Sequence, residues 1–340
     1  MPAVDQTKVK IIMSTITTPV ANKDSSESLF LPLIRGNVRP DKLWNSKMFR
    51  LKFALRSFIF PVTTFNYLHE LAKLPFLPQL LKMQGLLPAK PHRPYLRAGF
   101  SVAQRAQALL DHYTLMDQLD NAKLRQLLLS PVLNVIAAFN GKNDEAFVIN
   151  CCPGHFDREG EITLTLHYQT MNIASLSFSI IQENNQRTLM IGGLQGPRKH
   201  ISNDVIRDAT KAAHGLFPKR VLMEAVFILA QQCGVQAISA VGDTTHVFRS
   251  LRYRHSKGDK FFASYSEFWL SLGGEARADE LFTLPLHMER KALEEIASKK
   301  RAEYRRRYAL LDALNTQVLQ AAGVEPVQEE RAERDVSHAA

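Results

Sequence analysis

Three cysteines in 340 residues cannot make a disulfide scaffold, and the odd number leaves at least one thiol unpaired within the chain. A reducing compartment is therefore expected. Glycine and proline are sparse, at 16 each, which excludes collagen-like and low-complexity chains. No stretch approaches the roughly 18 uninterrupted apolar residues that a membrane-spanning helix requires. An export signal is missing as well, because the apolar run in Lys8-Val9-Lys10-Ile11-Ile12-Met13 ends at Ser14 without a cleavage site. Neither a Gly-x-Ser-x-Gly elbow nor a His-Glu-x-x-His helix occurs, which disfavours a serine hydrolase or a zincin. These absences point to a cytoplasmic protein and leave peripheral contact with the inner membrane open.

What is present is a packed globular chain, 45% hydrophobic and 22% charged, with a net charge of +10. The charge is unevenly placed. Residues 141–280 hold 15 bases and 15 acids, whereas residues 35–60 hold seven bases against Asp41 alone, and residues 286–311 hold eight against four. A neutral body with basic flanks predicts attraction to an acidic partner such as an anionic membrane surface or an envelope protein. Solvated helix faces explain the same pattern. Nucleic-acid binding is disfavoured, since no recognised module motif accompanies the charge.

The patterning divides the chain into a loose arm (1–40), a helical region (41–139), an α/β core (140–282), a basic helix (283–318) and a disordered acidic tail (319–340). In the helical region prolines 61, 75, 78 and 88 cut the chain into short pieces. Lys47–Phe60 carries Met48, Phe49, Leu51, Phe53, Leu55, Phe58, Ile59 and Phe60, with Lys47 and Arg50 on one side and Lys52 and Arg56 on the other. Bases on two opposed sides read as a core helix with snorkelling cations rather than a membrane-surface helix. Ser101-Val102-Ala103-Gln104 is a capping box opening a helix, and a second helix is expected from Asn121 to about Leu129.

From about Asn140 the period shortens. Phe147–Cys151, Ile162–Tyr168, Ala174–Ile181 and Arg187–Leu194 are strand-like, with turn residues between them. Pro218 starts a helix that Gly234 ends, Val235–Val241 is a strand, and a helix near Thr245–Arg254 and a strand at Lys260–Tyr265 follow. The expected fold is α+β, an antiparallel or mixed sheet preceded by helices and followed by a long basic helix over Glu289–Leu314.

Three groupings carry candidate chemistry. Ile191-Gly192-Gly193-Leu194-Gln195-Gly196-Pro197-Arg198 ends a strand with the densest glycine of the body, where a phosphate or a second backbone approaches closely. It fits neither the dinucleotide-binding pattern nor the P-loop. Glu224 on the Pro218 helix and Asp243 at a strand's carboxyl end are the acids best placed to serve a cleft. His246 follows as a general base that Asp243 would orient, or Asp243 is simply a helix cap. Cys151-Cys152-Pro153-Gly154-His155 is not expected to hold a metal, since zinc sites take four ligands in spaced pairs.

The order of antiparallel strands, glycine turn, helix, strand, helix and strand resembles the acyl-CoA-dependent N-acyltransferase (GNAT) fold. That resemblance implies an acyl-CoA or acyl-carrier donor, with Gly193, Gln195, Gly196, Arg198 and Lys199 near its phosphates. It also implies Tyr253 protonating the leaving thiolate, and on that reading Glu224 or Asp243, or His246 as general base, would accept a proton. Gln195-Gly196-Pro197 departs from the fold's usual glycine spacing, and Pro197 removes an amide. The donor is expected in an open crevice between strands 187–194 and 235–241.

Several strings in order resemble the VirK/YbjX family. They include Arg93-Pro94-Tyr95-Leu96, Gly193-Leu194-Gln195-Gly196, His214-Gly215-Leu216-Phe217-Pro218-Lys219, Ala240-Val241-Gly242-Asp243 with His246, and Tyr265-Ser266-Glu267-Phe268-Trp269. The likeness spans about residues 45–312. It implies a Gram-negative protein connected with virulence, surface-protein placement and resistance to antimicrobial peptides, and it brings no agreed catalytic residues.

Overall fold

A computed structural model describes residues 29–198, 200–250 and 265–325. The predicted Tyr253 and Lys199, most of the expected strand at 260–265, and most of the acidic tail lie outside these residues.

Among the described residues six α-helices precede the sheet: α1 (Phe30–Arg35), α2 (Lys47–Ile59), α3 (Pro61–Lys73), α4 (Leu77–Met83), α5 (Val102–Gln118) and α6 (Ala122–Leu128). Their boundaries follow local chemistry. Pro61 and Pro78 stand in the first turns of α3 and α4, where a missing amide costs nothing. Ser101 and Gln104 form both bonds of the capping box at the start of α5. The expected arm ends earlier than residue 40, because Phe30 and Leu33 of α1 are buried and carry the chain onto the core.

Among the described residues the sheet has eight strands in the order β1-β2-β3-β4-β5-β6-β8-β7. They are β1 (Asn134–Asn140), β2 (Ala146–Pro153), β3 (Ile162–Tyr168), β4 (Met171–Glu183), β5 (Gln186–Gln195), β6 (Ala237–Val241), β7 (Glu275–Ala276) and β8 (Leu281–Leu284). The first five run antiparallel, β6 joins β5 in parallel, and β8 returns antiparallel beside β6. The crossover from β5 to β6 carries α7 (Asn203–Ala212) and α8 (Pro218–Gln232). Gly234, at a left-handed φ of +62°, turns the chain out of α8. The fold is thus mixed α+β, with helices flanking a many-stranded sheet. A closed or curled N-acyltransferase-like sheet is not seen among the described residues.

Three elements differ from expectation. β1 lies in what reads as the helical region, and it pairs along β2 from Asn134 to Asn140. Where a helix was expected near Thr245, the described residues hold a short 3-10 turn at Val247–Arg249, and Tyr265 opens α9 (Tyr265–Ser271) rather than closing a strand. The basic helix α10 (Ser298–Ala321) begins nine residues after Glu289 and buries Leu310, Leu311, Leu314 and Val318 in its second half.

The sheet is two-faced. Along β3, Ile162, Leu164, Leu166 and Tyr168 alternate with Thr163, Thr165 and His167. The apolar set joins a continuous core with Phe178, Leu222 and Leu314. The polar set continues across the register, so that Asn150, Thr165, Ser175 and Gln195 form one row over four strands.

Candidate functional site

Two surfaces stand out, an apolar helix face and a cleft over the polar face of the sheet. On α2 only Phe53 and Ser57 are buried, and Ser57 donates its hydroxyl to the Phe53 carbonyl. Met48, Leu51, Leu55, Phe58 and Ile59 are 53–68% exposed, and Val62 at the start of α3 is 73% exposed. At about 100° per residue the five α2 side chains fall within a stripe roughly 100° wide. Lys47 borders the stripe on one side, Lys52 and Arg56 on the other. Arg50 points elsewhere and is engaged with the carbonyls of Ile34 and Trp44. The expectation of a core helix is therefore corrected. The opposed bases flank an outward apolar stripe, while a narrow strip through Phe53 anchors the helix to the body.

The cleft, of about 700 Å³, opens on the polar face of β3, β4 and β5. Thr165, His167, Ser175 and Gln195 line it from the strands, Cys152, His155 and Phe156 from the end of β2 and the turn after it, and Gly196, Arg198, His200 and Ser202 from the segment after β5. Most floor groups are partnered. Asn150 donates its side-chain amide to Nδ1 of His167 at 3.1 Å, so the ring proton sits on Nε2. Burial holds the His167 pKa below the usual imidazole value. Ser175 exchanges bonds with the Asn172 amide at 3.1 and 3.3 Å. The Cys152 thiol donates to the Thr163 carbonyl at 3.4 Å, and burial pushes its pKa up, which disfavours a thiolate there. Thr165 Oγ1 is buried without a hydrogen-bond partner. Among the described residues no group of three or more His, Cys, Asp or Glu is arranged to hold a metal.

The expected crevice between β5 and β6 is filled. The strands pair only from Thr188 with Ala237 to Ile191 with Ala240. Beyond that their ends part, and other chain occupies the space. Gly192 is a bulge residue, left between the Ser177–Gly193 and Phe178–Ile191 pairs. A Cβ there would stand 2.1 Å from the Glu159 carbonyl and 2.8 Å from that of Leu96. A Cβ on Gly193 would stand 2.1 Å from Glu159 Oε2. The Tyr265 hydroxyl receives the Leu194 amide at 3.3 Å. Gly192 and Gly193 therefore admit the Phe156–Gly160 turn, not a phosphate, whereas Gly196 faces open space.

Three of the predicted residues converge on one carboxylate. Gln195 donates its amide to Glu159 Oε1 and Oε2 at 2.8 and 3.0 Å, Gly193 lies beneath it, and His246 Nε2 is 3.3 Å from Oε1. Phe248 donates its backbone amide to His246 Nδ1 at 3.3 Å, which leaves the ring proton on the side facing Glu159. His246 and Glu159 are both almost wholly buried. Asp243 does not orient His246; its carboxylate receives the Tyr265 amide and the Ser266 hydroxyl, each at 2.7 Å, at the start of α9. Glu224 sits apart on α8, where burial raises its pKa against the charges of Arg290 and Arg220. Gly196 and Arg198 are exposed at the cleft. Glu159 escapes sequence reasoning because it reads as a polar turn residue, and its partners are 34 and more positions away in the chain.

A family model described as "Protein of unknown function (DUF535)" matches residues 42–320. The chain is 44% identical over 296 residues to the uncharacterized protein YbjX of Escherichia coli (strain K12), covering 86% of this chain and 89% of that protein. It is also 32% identical over 225 residues to an uncharacterized protein of Haemophilus influenzae (strain ATCC 51907 / DSM 11121 / KW20 / Rd), covering 65% of this chain and 72% of that one.

Proposed function

We propose that this chain, which belongs to the VirK/YbjX (DUF535) family, is a peripheral protein of an anionic membrane surface that supports the bacterial envelope, docking through α2 and the start of α3. One observation carries the reading: a contiguous outward row of Met48, Leu51, Leu55, Phe58, Ile59 and Val62, edged by Lys47, Lys52 and Arg56. Water-facing patches of this kind on a monomer mark interaction sites. Full burial of each large apolar side chain is worth about 1.5–3 kcal/mol, and each base near anionic lipid adds about 1 kcal/mol. No acid occurs between Asp41 and Glu70 to oppose a negative surface. The two basic edges suit a lipid interface, where the stripe enters the acyl boundary and the cations stay among headgroups.

Sedimentation with phosphatidylglycerol vesicles and with neutral phosphatidylcholine vesicles, over a salt series, tests it. The expected result is preference for the anionic vesicles, weakened but not abolished by salt, because the apolar contribution is unscreened. Failure to sediment with anionic vesicles at low salt overturns it.

A second reading is acyl or aminoacyl transfer from a CoA- or carrier-bound donor on a GNAT-like core. It is favoured by the single parallel step from β5 to β6 in an otherwise antiparallel sheet. The filled crevice counts against it. Calorimetry with a CoA thioester tests it directly, and absence of heat ends it.

A further inference from the structure

The cleft beside β5 has features that membrane docking does not use. Among the described residues its lining contains Arg198 and three histidines, 155, 167 and 200, and no aspartate or glutamate. Of the acids next to lining residues in the chain, Asp204 is turned to Arg207 at 2.8 Å and Asp157, beside Phe156, is paired with Arg93 at 3.4 Å. Glu159 lies behind Gln195 and is buried beneath it. The start of α7 also meets the cleft through Ile201, Ser202 and Val205; Ser202 takes the Asp204 amide on its hydroxyl at 3.2 Å and the Val205 amide on its carbonyl at 3.1 Å, and the helix end as a whole carries partial positive charge.

A helix start and a few cations are not a site in themselves. The independent observation is Thr165. It is 5% exposed, lies on the cleft floor in the polar row between Asn150 and Ser175, and leaves Oγ1 without a partner. A buried hydroxyl left unpaired costs free energy, so such groups are rare unless something else completes them. The hydroxyls Thr163 and Ser177, in the next row, satisfy each other at 2.8 Å. Thr165 bonds neither of its neighbours in the row, because Asn150 is turned to His167 and Ser175 to Asn172.

We infer that this cleft binds a small phosphate ester, its phosphate held by Arg198, Thr165 and the start of α7, and its organic part against the apolar wall. The donors are a guanidinium, a hydroxyl and a helix start, a set that matches the charge and the several acceptor oxygens of a phosphate. Leu133, Phe156, Met171, Ile201 and Val205 supply the apolar wall. A volume of about 700 Å³ exceeds what a bare phosphate needs and falls within the range of small-molecule sites. The inference stands independently of membrane docking.

Calorimetric titration of the full chain with naphthyl phosphate tests it, with naphthol and inorganic phosphate as the two halves of the probe. Naphthyl phosphate is expected to bind more tightly than either half. Arg198→Ala should weaken it roughly tenfold or more, the loss of a charge-assisted contact. Thr165→Val should weaken it severalfold while keeping or raising Tm, because an isosteric apolar group removes the unpaired hydroxyl. That combination distinguishes a ligand contact from a structural one. Competition by dihexanoyl phosphatidic acid would place the phosphate on a lipid headgroup; binding of naphthyl phosphate without such competition would place it on a soluble metabolite. Leu55→Ser on α2 should leave this binding unchanged, so loss of docking and loss of the ligand are separable. No heat with naphthyl phosphate, or unchanged affinity in both cleft variants, overturns the inference.

Discussion

Lys90 donates its ammonium to Glu161 Oε1 at 2.6 Å, with both side chains almost wholly buried. Glu161 Oε2 also receives the Tyr113 hydroxyl, and Gln84 Oε1 takes a second proton of Lys90. Lys90 comes from the connector between α4 and α5, Tyr113 from α5, and Glu161 from the entrance to β3. The helices and the sheet are therefore joined by a buried charge pair as well as by the shared apolar core.

Removing one partner of such a pair should cost far more than removing both. Lys90→Met leaves the Glu161 carboxylate uncompensated and should destabilise the chain by about 3–5 kcal/mol. Adding Glu161→Gln, which keeps an acceptor for Tyr113, should recover at least half of that loss. Urea denaturation of the single and double variants reads both values. Equal losses in the two would mean that the pair is not electrostatically coupled.

Acid should weaken the fold through His112. Its Nδ1 accepts the Ile180 amide at 3.2 Å, and burial pushes the imidazole down to about 4, with Glu161 favouring the charged ring and Lys90 opposing it. The folded value is below the unfolded one, so between pH 6.5 and 4 the unfolded chain binds the extra proton. Stability is present above pH 6.5 and is lost as pH falls through that window, by on the order of 3 kcal/mol at its lower end. Burial also lowers His92 to about 4, with Arg56 and Arg105 opposing its charge, so it acts in the same direction. The urea midpoint of His112→Gln should depend less on pH than that of the unchanged chain.

The glycine pair should tolerate no side chain. Gly192→Ala places a methyl against two carbonyls, those of Glu159 and Leu96, which only backbone movement relieves. A loss of about 3 kcal/mol or more is expected. Gly193→Ala meets the Glu159 side chain instead, so it should pull that carboxylate away from Gln195 and His246. Thermal melts and the His246 ring shifts in NMR spectra separate the two effects. A phosphate cradle would predict the reverse pattern, little change in stability and loss of a ligand.

What could be read in advance tracks how local each signal is. β2 to β5, α5 and α8 were legible because alternation, the capping box, Pro218 and Gly234 act within a few residues. β1 was not, since Val135–Phe139 is a short apolar run that helix and buried strand share, and only pairing with β2 decides between them. On α2 the apolar residues and bases were visible, but which arc meets the body depends on the contacts of Phe53 with Trp44 and Phe30. Glu159 carries no local mark at all. The polar row through Thr165 needs cross-strand register, which residue patterns do not specify across three hairpins.

The outer face of α2 allows apolar and ionic contributions to be separated on one helix. Leu51→Ser and Leu55→Ser change exposed positions, so the urea midpoint should stay near that of the unchanged chain, while partition onto anionic vesicles should fall about tenfold or more for each. Lys47→Gln with Lys52→Gln should instead lower binding mainly at low salt, because that part is screened as ionic strength rises. Phe53→Ala tests the other side of the same helix: its ring is 2% exposed, and its loss should cost about 3–5 kcal/mol of stability. If the serine variants bind vesicles like the unchanged chain, the stripe faces something other than lipid. If they lose stability to the extent that Phe53→Ala does, the stripe is covered in the folded protein and α2 belongs to the core.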